Sequence, residues 1–135
     1  MWLILEMASE KPLYLQIRDQ IVEAIASGRL RRGVALPTIR QLASDFGVNL
    51  HTVHKAYELL RDEGFIQLNR KIGATVLVSP GSPTREDEWR SRLRTLLAEP
   101  VARELDVETI MSTCQRILDE FAAERSGRGD STKES

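Results

Sequence analysis

Ten positions between residues 40 and 73 carry most of the chain's chemistry: Arg40, Asn49, Leu50, His51, Thr52, His54, Lys55, Arg70, Lys71 and Gly73. Guanidinium, ammonium, imidazole, amide and hydroxyl groups dominate this set. Such groups donate and accept hydrogen bonds, and the cations among them neutralise phosphate. They do not make a bond-breaking set. No Ser/His/Asp constellation, no paired carboxylates in a plausible cleft and no Gly-rich phosphate loop accompany them, so an enzyme is not expected. His51 and His54 lie three apart on one helical face, but a tetrahedral metal site needs further ligands that no nearby Cys, His, Asp or Glu cluster supplies. Neither a metal nor a cofactor is expected. The chemistry is recognition of an anionic polymer.

Such residues need rigid elements to aim them. Thr38 followed by Gln41 is a capping box, which opens a helix just after Pro37. Ile39, Leu42, Ala43 and Phe46 give that helix one apolar side, and Gly47 supplies a left-handed stop. Asn49 is an N-cap for a second helix, whose Val53, Ala56, Tyr57 and Leu60 form one buried stripe. Only two residues separate Phe46 from Asn49, so the helices must cross steeply, as in a helix-turn-helix. Phe65–Leu68 and Thr75–Val78 then read as short strands around the basic loop 69–74, which makes a wing. In a helix-turn-helix the start of the second helix enters the major groove, which assigns Asn49 to Thr52, His54 and Lys55 to the reading face. Thr52 also has a structural role open to it, reinforcing the helix start.

These residues also carry a resemblance. Leu36 to Ala43, Gly47-Val48-Asn49, Thr52-Val53, Leu60, Glu63 to Ile66 and Gly73 to Val76 resemble the signature of the GntR family of bacterial transcription regulators. Pro12 to Ile17 and Lys55-Ala56-Tyr57 are most similar to its short YtrA-type branch. The resemblance spans roughly residues 1–125 and implies DNA contacts from Arg40, from Asn49 to Thr52 with His54, and from Gly73. It also implies homodimers formed by a C-terminal helical pair, without a large effector domain. Three positions depart from the pattern. Leu50 stands where Arg or Pro is common, His51 where a small polar residue or Arg is common, and Lys71 where many members have the first wing glycine. Leu50 cannot donate a hydrogen bond, so it offers at most apolar contact with a thymine methyl.

The rest of the chain is organised around this head. A net charge of −1 conceals an asymmetry: residues 11–78 hold ten Lys/Arg against six Asp/Glu. The basic excess lies on the proposed reading head, where phosphate contacts are needed. Residues 2–5 suggest a short strand. Leu13 to Ser27 read as a first helix with Leu13, Ile17, Ile21 and Ile25 at fourfold spacing. Arg29, Arg31 and Arg32 follow in a loop that is either a solvated turn or a phosphate contact. Pro80 to Pro83 form a linker. A helix from Thr84 carries Trp89, Leu93, Leu96, Leu97, Val101 and Leu105, with a kink or break predicted near Glu99 by Pro100. A last helix, Val107 to Glu124, shows Val107, Ile110, Met111, Cys114, Ile117, Leu118 and Phe121 alternating by threes and fours as a seam. Residues 125–135 read as a polar, disordered tail.

The lone Cys114 excludes an internal disulfide and fits a packed thiol better than a redox switch. No secretory signal and no run long enough to span a membrane are present, so a cytoplasmic protein is expected. The expected fold is α+β and mainly α: a winged helix-turn-helix over 1–79, a linker at 80–83 and a two-helix dimerisation arm at 84–124. The expected function is a homodimeric repressor, or other regulator, on a palindromic double-stranded DNA operator. The alternative is a winged-helix module that binds RNA or another protein. Nothing in the residues points to a particular small-molecule effector.

Overall fold

In the computed structural model the chain divides into two compact units, residues 1–80 and 81–135. The structure describes residues 3–70, 73–77 and 83–134, with side chains over 87–127 in the last stretch. Helices α1 (Leu13–Ala26), α2 (Ile39–Phe46) and α3 (Leu50–Asp62) precede strands β1 (Ile66–Asn69) and β2 (Gly73–Val76) in the first unit. The predicted punctuation is present. Gln41 donates its backbone N–H to Thr38 Oγ1 and Thr38 donates its own to Gln41 Oε1, both at 3.1 Å. Gly47 takes φ +63° and ends α2. Asn49 Oδ1 accepts from the His51 N–H at 2.8 Å and opens α3.

The core forms where the apolar stripes meet. Val53, Ala56, Tyr57 and Leu60 of α3 are fully enclosed by Ile17 and Ile21 of α1, Leu42 of α2, and Ile66 and Val76 of the hairpin. Each such aliphatic side chain contributes roughly 1.5–3 kcal/mol on burial. Strand β1 pairs antiparallel with β2, from Ile66 opposite Val76 to Asn69 opposite Gly73. The strands therefore start one residue later and two residues earlier than the pattern predicts, because Asn69 and Gly73 still pair. The predicted Val78 and wing residue Lys71 lie outside the described residues. A third segment pairs along the far edge of β2. Gly33 N–H donates to Val76 O, Val76 N–H to Val34 O, and Leu36 N–H to Ala74 O, at 2.8–2.9 Å.

The N-terminal segment departs from expectation. Residues 3–5 are extended but join no sheet. Their neighbours are glutamine side chains of α1 instead. Gln20 takes both the N–H and the C=O of Ile4, while Gln16 takes those of Glu6 and also the C=O of Lys11. Spaced one helical turn apart, the two amides stand in for a neighbouring strand and let Leu3 bury at 3% exposure. A second tie joins α1 to the end of α3. Arg18 grips Glu63 through two 2.8 Å bonds and lies over the Phe65 ring. Burial alone would lower the guanidinium's pKa, but the hydrogen bonds it donates to Glu63 and Asp19, with their charges, outweigh it and raise it.

The second unit is a helical pair, α4 (Pro83–Ala102) and α5 (Val107–Glu134). Pro100 does not break α4 near Glu99. It falls in the last turn, where it leaves the Leu96 carbonyl without its helical N–H partner, and the helix stops two residues later. The stop is a left-handed one: Glu104 takes φ +62°, its N–H reaches Val101 O, and Leu105 N–H reaches Pro100 O. Asp106 then caps α5 by accepting from the Thr109 N–H at 3.1 Å and from its hydroxyl. Those bonds hold the Asp106 carboxyl below its ordinary range. Residues 125–134 are helical rather than a loose tail. The helix runs on through Gly127 and Gly129, against their low helix propensity. Among the described residues no helix is long and apolar enough to cross a membrane.

No described side chain of α4 or α5 is fully buried. Leu97, Ile110, Cys114 and Phe121 are half-buried, whereas Met111 and Leu118 are each 63% exposed. The predicted seam therefore splits. Its Ile110, Cys114 and Phe121 are partly covered, whereas Ile117 is exposed together with Val107, Met111 and Leu118, which form an open stripe.

Two stability predictions follow from these contacts. Gln16→Ala removes three part-buried hydrogen bonds to main-chain groups of Glu6 and Lys11, at about 0.5–1.5 kcal/mol per bond. Urea unfolding should register at least the lower figure; an unchanged midpoint would remove the clasp from the account. Glu104→Gly should instead stabilise the arm by about 0.5–1 kcal/mol, since glycine reaches positive φ without the strain of a Cβ. Thermal melting followed by helical circular dichroism checks this, and a lower midpoint contradicts it.

Candidate nucleic-acid interface

The start of α3 is an exposed platform. Asn49 spends its side-chain oxygen on the helix cap, which leaves its amide NH2 as the outward group. Leu50 is 42% exposed and His51 is exposed beside it. Thr52 is half-buried, and its N–H already bonds Asn49 O at 3.0 Å, which favours the structural part of its role. One turn on, exposed His54 lies with Nε2 3.6 Å from the Glu58 carboxylate. Lys55 turns the other way: its ammonium sits 4.1 Å from the centre of the Tyr14 ring on α1. That cation–π contact takes it away from the groove face.

A cleft of about 730 Å³ opens between the start of α2, one face of α3 and the hairpin. Arg40, His54, Arg61, Asn69 and Arg70 bring polar groups to it, over an apolar floor that includes Ile39 and Leu68. A partly buried bond braces the cleft. Tyr57 OH donates to Pro37 O at 2.7 Å, tying α3 to the residue just before the α2 cap. Burial pushes the phenol far above its ordinary pKa, so it stays a donor. Gly73 forms the other wall. Its φ of +88° is a conformation that side chains rarely adopt, while the space for a Cβ is adequate, 3.9 Å from Thr38 Cγ2.

Four of the ten predicted site residues, Arg40, His54, Arg70 and Gly73, thus converge on one cleft. Asn49, Leu50 and His51 lie at the adjacent helix start, Lys55 is directed elsewhere, and Lys71 lies outside the described residues. Arg61 and Asn69 were missed. Arg61 follows His54 by seven residues on the same helical face, and Asn69 pairs with Gly73 across the hairpin. Arg29, Arg31 and Arg32 precede Gly33, which bonds Val76 at the end of β2 farther from the wing tip. The ladder therefore puts them at the opposite end of the hairpin from Arg70.

The same stretch is shared with known proteins. The family described as bacterial regulatory proteins, gntR family, matches residues 13–76. The HTH-type transcriptional repressor YtrA of Bacillus subtilis is 38% identical over 68 residues, which are 50% of this chain and 52% of that protein. Against other curated relatives the chain spans between 16% and 62% of their length. Among solved structures, YtrA from Sulfolobus acidocaldarius, a GntR-family transcription factor, is 42% identical with a TM-score of 0.60, over 76% of this chain and 99% of that one. A transcriptional antiterminator from Listeria monocytogenes EGD-e is 27% identical with a TM-score of 0.80, over 87% of this chain and 90% of that one. Winged helix, signature residues and relatives coincide over the same stretch, and the chain belongs to the gntR family of bacterial regulatory proteins.

Proposed function

We propose that this chain is a DNA-binding transcription regulator working as a homodimer, and a repressor in the manner that the name of its Bacillus relative indicates. The carrying observation is the cleft beside the α3 start. Arg40 and Arg70 are exposed there and make no ion pair among the described residues. Cations held without carboxylate partners beside an exposed, capped helix start are suited to phosphate, with Asn49, His51 and His54 presented to base edges. The wing would flank the groove that α3 enters.

The arm supplies the second subunit. Its open stripe of Val107, Met111 and Leu118, with Trp89, Leu93 and Leu96 exposed on α4, is more apolar surface than a helical pair of this size covers by itself. A second copy would cover it. An isologous dimer then presents two reading helices, which matches an inverted repeat. A second reading is RNA as the polyanion, favoured only by the name of the Listeria antiterminator. Competition by single-stranded or hairpin RNA that displaces DNA at equal concentration would support it.

Arg40→Ala should weaken binding to a selected duplex by roughly 1–3 kcal/mol, about five- to 150-fold. Wild-type affinity in an anisotropy titration would remove Arg40 from the interface. Leu118→Asp should convert the dimer to a monomer in light scattering, because it places an unpaired charge in the contact. A variant that stays dimeric assigns the arm a different role, and a monomer with full affinity defeats the symmetric reading.

A further inference from the structure

We propose that the cleft between the C-terminal half of α3 and the wing is a backbone-phosphate site, with Arg61 as its sequence-independent ligand. This rests on the DNA-binding reading and extends it beyond the start of the recognition helix. Arg61 lines the cleft with Arg40 and Arg70, so three arginines border one space of about 730 Å³. The nearby acids do not cancel them. Glu58 lies 3.6 Å from His54, and Asp62 holds Arg61 through two bonds of 3.2 and 3.3 Å to one carboxylate oxygen, with side chains 58% and 48% exposed. An exposed pair of this kind is worth about 0–1 kcal/mol, so a phosphate can draw the guanidinium away.

Position along the helix separates phosphate from base. Arg61 lies twelve residues beyond Asn49, about 18 Å along the axis at 1.5 Å per residue. The major groove is only about 8.5 Å deep. A helix that enters by its N-terminus therefore leaves the Arg61 backbone outside the groove, level with or above the sugar–phosphate rim. Helical side chains lean toward the N-terminus, which brings the guanidinium back toward that rim. The planar fork of Arg matches two phosphate oxygens, and the apolar floor at Leu68 and Ala74 strengthens the field in the cleft.

The test is the salt dependence of binding for full-length wild type, Arg61→Gln and Arg61→Lys. Each is titrated against a duplex that the wild type selects from a random pool and against a scrambled duplex. Loss of one phosphate contact should reduce the log–log salt slope by about 0.9. For Arg61→Gln we expect that reduction with the same fold loss on both duplexes, while Arg61→Lys keeps the slope because it keeps the charge. Asp62→Asn should tighten binding on both, since it frees Arg61. An unchanged slope in Arg61→Gln, or a loss confined to the selected duplex, overturns the inference while leaving the DNA-binding reading intact. A wild-type chain that binds neither duplex overturns both. Because Arg61 and Asp62 are exposed, unchanged circular dichroism is expected for all three variants.

Discussion

The bond from the Tyr57 hydroxyl to the Pro37 carbonyl holds the reading head in register. Tyr57 is 1% exposed and lies on the buried stripe of α3, so its ring is fixed by the core and its hydroxyl is left with one short reach. Pro37 is the last residue before the α2 cap. The bond satisfies a partly buried carbonyl and, with Leu42 and Ala43 in the core, fixes where α2 begins relative to α3. Arg40 is two residues past that cap, and Gly73 approaches the capping Thr38 from the wing. The positions of the cationic groups thus descend from a core side chain rather than from the groups themselves, which stand exposed with little to hold them.

This division explains what could be read in the sequence. The capping box at Thr38 and Gln41, the left-handed Gly47, the Asn49 cap and the stripe from Val53 to Leu60 are local rules, and each is met as written. Contacts at long range were not legible. Nothing in the spacing of Gln16 and Gln20 says that their amides hold the backbone of residues 4 and 6, since an apolar N-terminal run looks like a strand whether its partner is a ladder or a pair of glutamines. Lys55 was placed on the reading face by helical period, yet Tyr14, 41 positions earlier, claims its ammonium. Arg61 was legible in principle from its spacing to His54, but only the fold brings the hairpin beside it.

The arm shows a related limit. Apolar periodicity along α5 located a seam, yet one helix has two flanks, and periodicity alone does not say which faces α4. The half-buried Ile110, Cys114 and Phe121 and the exposed Met111 and Leu118 divide the apolar residues between them. Pro100 was read as a breaker because helix interiors reject it; its place in the final turn, just before a left-handed Glu104, makes it part of the stop instead. The winged helix has a closed core of its own, whereas the arm leaves most of its apolar surface open.

The central claim is that two copies of this head read one duplex symmetrically. Selection from a randomised DNA pool by the full-length chain, followed by sequencing of the recovered duplexes, tests it most directly. The account predicts an inverted repeat whose half-site centres lie about 34–36 Å apart, one helical turn, or a multiple of that spacing. Recovery of a single unrepeated motif, of direct repeats, or of no enriched sequence at all would contradict it.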